Sequence, residues 1–109
     1  MKLYAVSLTD DAKIDLQDIY EYIAAHDAPA KADAVLDKLE ALVESLSRFP
    51  ERGTVTKELC EVGITDYREV YFKPYRVIYR VWAAQVYVYL IVDGRRDMQT
   101  LLTRRLMRA

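Results

Sequence analysis

The apolar positions of this chain change period three times. Over residues 2–8 they alternate weakly, which predicts a short strand. Thr9-Asp10-Asp11 then supplies a capping oxygen, followed by acids at the positive end of a helix dipole. From there Ala12, Leu16, Ile19 and Ile23 recur at helical spacing with Tyr20 alongside, while Asp15, Asp18 and Glu21 fall on other faces. This helix is expected to stop near His26-Asp27. Pro29 suits the first turn of a second helix, where a missing N–H costs nothing. Ala32, Val35, Leu36, Leu39, Leu42, Val43 and Leu46 continue it as a long apolar stripe, ended by Arg48-Phe49-Pro50. Two amphipathic helices with a tight joint predict a helical hairpin, each burying one face.

Glu51 to Gly63 is the least patterned stretch, and Lys57 to Val62 fits either a short strand or a turn. From Ile64 the period becomes two. Tyr67–Phe72, Val77–Trp82 and Val86–Val92 are rich in Tyr, Val and Ile and predict three strands. Pro74 separates the first two, and Ala83-Ala84-Gln85 is short enough to join the second and third as a hairpin. After Gly94, the residues Met98, Leu101, Leu102 and Leu106 return to helical spacing. The predicted order is β-α-α-β-β-β-α, a small α+β fold. Its mostly antiparallel sheet is packed against an N-terminal helical hairpin, with a short C-terminal helix. There is no repeat and no low-complexity segment.

A length of 109 residues fits one domain spanning 1–109. A hydrophobic fraction of 52% is enough for a core, and 30% charged residues suit a soluble surface. No apolar run reaches the roughly 20 residues needed to span a bilayer. The opening segment meets Asp10-Asp11 too soon for a signal peptide, and one cysteine, Cys60, permits no internal disulfide. Both features predict a cytoplasmic protein without membrane association.

Charge sharpens this picture. Residues 1–55 carry 6 Lys+Arg against 11 Asp+Glu, whereas residues 56–109 carry 10 against 6. A net charge of −1 therefore conceals an acidic half at −5 and a basic half at +4. Two readings stay open: the basic half meets an anionic partner, or the halves neutralise each other in the fold.

The basic half contains Arg68, Arg76, Arg80, Arg95, Arg96, Arg104, Arg105 and Arg108. Strand alternation puts Val77, Tyr79 and Val81 on one face and Arg76, Ile78, Arg80 and Trp82 on the other. Arginine seldom enters a core unpaired, so the hairpin is expected to cover the Val77 face and leave Arg76 and Arg80 facing outward. Arg68 from a neighbouring strand, with Arg95 and Arg96 past the end of the third, would complete one basic patch. Such a patch binds phosphates or carboxylates through bidentate hydrogen bonds. The alternative is that these arginines pair with Asp66, Glu69, Asp93 and Asp97.

Other residues offer less chemistry. His26 is the sole histidine and lies far in sequence from the arginines. Cys60 has no nearby thiol or imidazole partner in sequence and is expected to be a buried filler. Asp10-Asp11 and Asp15/Asp18 read as solvated helix faces without converging ligands, so neither metal nor cofactor is expected. The strand tyrosines are sheet packing, with one or two free to stack on a base.

These pieces together resemble the ParE/RelE superfamily of bacterial toxins, and the ParE branch most closely. The resemblance runs through Leu8-Thr9-Asp10-Asp11-Ala12, Ile19-Tyr20-Glu21-Tyr22-Ile23 and Phe49-Pro50-Glu51-Arg52-Gly53. Its strongest segments are Tyr75-Arg76-Val77-Ile78-Tyr79-Arg80-Val81 and Val92-Asp93-Gly94-Arg95-Arg96-Asp97-Met98, followed by Leu101-Leu102. It implies the toxin of a type II toxin–antitoxin pair, held in a hetero-oligomer by a ParD-like antitoxin and serving plasmid stabilisation or growth inhibition. ParE-like members inhibit DNA gyrase; RelE-like members cut mRNA on the ribosome. Arg68, Arg76 and Arg96 fall on basic positions of the RelE-like pattern. Val70 stands where that pattern has a second basic residue, and no His or Tyr follows Tyr89. Arginine stays protonated near neutral pH and is a poor general acid or base. The resemblance therefore implies a gyrase inhibitor without its own active site, touching nucleic acid only within the target complex. Arg68, Arg76, Arg80, Arg95 and Arg96 are its expected target-binding residues. A RelE-like endoribonuclease and a degenerate, non-toxic antitoxin-binding module are the alternatives.

Overall fold

Thr9 caps the first helix as its position predicts: its Oγ1 accepts a hydrogen bond from the Ala12 amide at 3.1 Å. The computed structural model describes residues 3–106. In chain order the elements are β1 (Ala5–Leu8), α1 (Asp10–His26), α2 (Pro29–Ser45), β2 (Thr54–Val55), α3 (Lys57–Cys60), β3 (Tyr67–Phe72), β4 (Tyr75–Trp82), β5 (Gln85–Asp93) and α4 (Met98–Leu106). Of the expected strand and basic tail, Lys2 and Arg108 lie outside the described residues. The unpatterned stretch holds both a two-residue strand, β2, and a single helical turn, α3.

The sheet order is β1-β5-β4-β3-β2. β1 runs parallel to β5, and every other neighbour is antiparallel. Ala12, Leu39, Val43 and Leu46 of the α1/α2 side pack on Val70, Val77, Tyr79, Val86, Val88 and Ile91. The hairpin thus covers the Val77 face, as expected. The opposite face is not open. Leu59 of α3 and Met98 and Leu102 of α4 pack there on Ile78, Leu90 and Val92, and Ile78 is fully buried.

One irregularity makes both cores possible. Strict alternation would put Val86, Val88, Leu90 and Val92 on a single face. The pairing shifts instead: Ile78 faces Leu90, but Tyr79 faces Val88, leaving Tyr89 as an extra residue. This bulge sends Val86 and Val88 to the hairpin and Leu90 and Val92 to α4.

The sheet edge is closed by side chains. β1 pairs with β5 only as far as Leu8–Val88. Beyond that point the Ile91 amide donates to Asp15 Oδ2 at 3.0 Å. Asp15 is therefore buried and structural, not part of a solvated helix face. Its carboxylate replaces the missing strand carbonyl, as a buried backbone donor requires. Asp18 is exposed, as expected.

Candidate functional site

Arg76 lies on β4 opposite Tyr71 of β3 and Val92 of β5. It does not face outward: it is only 7% exposed. Its Nη1 and Nη2 donate to Glu58 Oε2 and Oε1 at 2.9 and 2.7 Å, a bidentate pair that fastens α3 to the sheet. Nη2 also bonds Glu69 Oε1, and the other oxygen of Glu69 accepts from the Tyr71 hydroxyl. These contacts shift three groups. Hydrogen bonds from Arg76 hold the Glu58 carboxyl below its ordinary value, against the opposing effect of burial. The hydrogen bond to Glu69 raises the Tyr71 phenol, and the Glu58 pairing raises the Arg76 guanidinium. One guanidinium between two carboxylates is formally negative, so an incoming phosphate meets repulsion here.

Gly94 makes room for this arrangement. A Cβ on Gly94 would lie 2.5 Å from Arg76 Cδ and 2.8 Å from Cγ. Gly53 has a similar part on the other face: its amide donates to the Tyr79 hydroxyl at 3.0 Å, and a Cβ there would meet Glu69 O at 2.5 Å.

The other predicted arginines divide among three places. Arg68 is opposite Tyr79 and so shares the hairpin face, away from Arg76 and Arg80. Its Nη1 donates to Gly53 O at 2.7 Å, pinning the segment before β2. Arg80 is half-buried on the Arg76 face, with its guanidinium carbon 6.0 Å from the Tyr67 ring centre and 5.1 Å from that of Trp82. Its carboxylate neighbour is Asp66, at 3.7 Å. Arg80 lies four residue steps along the strand from Arg76, roughly 13 Å. Arg95 and Arg96 form the third place. Arg95 chelates Asp93 through Nε and Nη2 at 2.9 and 2.6 Å, which lowers the Asp93 carboxyl. Arg96 is exposed, and its guanidinium makes no hydrogen bond or ion pair among the described residues. The five arginines therefore form no single patch. Glu69, Asp66 and Asp93 each take an arginine, whereas Asp97 accepts from Thr100 at the start of α4.

Arg95 and Arg96 border a groove of about 370 Å³ between α1 and the end of β5. Ile19, Tyr22, Ile23 and Tyr75 supply its apolar wall, and Asp18 stands on its rim. An adjoining hollow of about 530 Å³ shares Tyr22, Ile23 and Tyr75 and extends past His26 to Phe72. Tyr22 is 65% exposed and stacks on His26 with ring centres 4.2 Å apart. Cys60 is exposed, contrary to its expected place in the core, because α3 turns only Leu59 inward. No cluster of three or more potential metal ligands occurs among the described residues.

Two site residues escaped the sequence reading. Glu58 sits in the unpatterned stretch, where nothing predicted the turn of helix that aims it at Arg76. Arg105 is, in sequence, only one of several basic residues in the C-terminal half. Its guanidinium donates to both Asp15 oxygens at 2.9 and 3.1 Å and to Tyr89 O at 2.8 Å.

A family model described as "ParE toxin of type II toxin-antitoxin system, parDE" matches residues 6–98. The chain belongs to that family of toxins. The match takes in all five predicted arginines and stops as α4 begins, so Arg105 lies beyond it. Among curated proteins the chain is similar to Toxin ParE3 of Caulobacter vibrioides, 28% identical over 88 residues, 81% of this chain and 84% of that one. A solved structure described as the chromosomal ParDE TA system from P. aeruginosa superposes with a TM-score of 0.70. It covers 84% of this chain and 96% of its own at 18% identity, a likeness that establishes the ParE-type fold.

Proposed function

We propose that this toxin inhibits DNA gyrase and is neutralised by a ParD-like antitoxin. The observation that carries the reading is the capture of Arg76 by Glu58 and Glu69. A ribonuclease of the RelE-like kind would need that cation free for the scissile phosphate. Here it is buried and neutralised, and no His or Tyr follows Tyr89 to move a proton. Inhibition by binding asks only for an exposed, positively charged surface. Exposed Arg96 supplies that charge beside the Arg95–Asp93 pair, and Arg80 offers a second cation at a separate corner; Arg68 and Arg76 hold the scaffold beneath.

The antitoxin's seat is the trough along Tyr22, Ile23 and Tyr75. It combines an apolar floor with Arg96 at one end and Lys31 at the other. A disordered tail that folds on binding would place apolar anchors between the tyrosines and a carboxylate on Arg96.

Expression of the chain without antitoxin tests the reading. Growth arrest with induction of the DNA-damage response is the expected result. Arrest with degraded mRNA and no DNA damage would favour the ribosome as target, and absence of arrest from folded protein would mark a non-toxic binding module.

A further inference from the structure

α4 covers the centre of its sheet face, and among the described residues one corner is left uncovered. There the register sets Tyr67, Arg80 and Tyr87 side by side on three adjacent strands. The bulged Tyr89 meets Tyr67 edge-to-face, with ring centres 5.4 Å apart. Trp82, two residues beyond Arg80 on the same face, is 62% exposed. The Arg80 guanidinium lies over both the Tyr67 and Trp82 rings. Its ion pair with exposed Asp66 spans 3.7 Å and it also reaches the Tyr89 hydroxyl, which leaves the rest of its five N–H donors available to a stronger anion.

We infer that this corner is a stacking platform for single-stranded nucleic acid. One base lies on the open face of Trp82, and Arg80 takes the adjoining phosphate in place of Asp66. The chemistry favours this occupant. An indole presents a π-face to any base without regard to sequence, and a guanidinium held among rings is preorganised for a phosphate oxygen. A duplex hides its base faces and could offer this corner only its backbone. The inference goes beyond gyrase inhibition and needs no enzyme.

Trp82 is the only tryptophan in the chain, so it reports its own occupancy. The experiment titrates single-stranded oligothymidylate into the purified full-length chain at low salt and follows tryptophan fluorescence. The expected result is saturable quenching that weakens as salt is added. Labelled oligonucleotide should bind Trp82→Ala and Arg80→Ala about tenfold more weakly, with circular dichroism of each variant unchanged. Absence of quenching up to millimolar oligonucleotide would overturn the inference. Equal quenching by an abasic phosphodiester or by duplex DNA would overturn it too, because neither offers a free base. Quenching by an acidic peptide alone would reassign the corner to a protein partner. Should a variant fail to fold, the wild-type comparison of oligothymidylate with its abasic counterpart decides the matter unaided.

Discussion

Asp15 and Arg105 stand 90 positions apart and close the fold: the Arg105 guanidinium grips both oxygens of a carboxylate that also receives the Ile91 amide. One side chain of α1 thus ends the sheet edge and fixes α4. The pairing raises the Arg105 guanidinium further above its ordinary range. Removing the carboxylate strands a buried N–H and frees the last turn of α4. Asp15→Ala is expected to cost about 3 kcal/mol, measured by urea denaturation. Arg105→Ala should cost less, because that side chain keeps partial access to water. A double-mutant cycle should show the two changes to be strongly non-additive.

Arg76 and Arg96 should respond oppositely to the same substitution. Arg76→Glu places a third carboxylate against Glu58 and Glu69 in a buried site and is expected to cost more than about 4 kcal/mol. It will abolish toxicity by unfolding the chain. Arg96→Glu acts on an exposed side chain and should shift stability by less than about 0.5 kcal/mol, yet remove toxicity. Thermal melts beside growth assays check both. A folded, fully toxic Arg96→Glu variant would remove Arg96 from the target surface.

Gly94 should prove necessary through Arg76. In Gly94→Ala the new Cβ meets the Arg76 stem and must displace it from its carboxylates. A loss of about 2–3 kcal/mol is expected, again by urea denaturation. Ala83 offers the reverse case. It has φ 55° in the two-residue turn between β4 and β5. Ala83→Gly should stabilise the chain by about 0.5–1 kcal/mol.

Glu58 gives stability a pH dependence. In the folded chain its carboxyl titrates below the ordinary value of 4.5, so the unfolded chain takes up this proton first as pH falls. The stabilisation is complete above about pH 5 and is lost as pH drops through the folded value. The urea midpoint should fall over that range, and Glu58→Gln should lessen the slope. Asp93 is also lowered by its arginine, but that pair is exposed and contributes little.

Much of this was legible in the sequence. The Thr9 cap, the helical stripes and the tyrosine-rich strands each followed a local rule, and the structure obeys them. Strand alternation also placed Arg76 and Arg80 on one face. It could not say what covers that face, because α4 returns to it from the far end of the chain. The rule that a buried arginine must be paired was sound. Its outcome depended on Glu58, in the stretch with no period. Val86 to Val92 read as a plain strand, and only the paired structure reveals the bulge at Tyr89 that splits its valines between two cores. Asp15 looked solvated because a helix pattern cannot register a missing strand on a neighbouring sheet.

We propose above that this toxin acts on gyrase by binding. The most direct measurement is DNA supercoiling by purified gyrase with this toxin titrated in and cleaved DNA scored. Inhibition with accumulated double-strand breaks, lost in Arg96→Glu and reversed by the antitoxin, is the expected result. Unchanged supercoiling by folded protein that arrests growth in cells would contradict it.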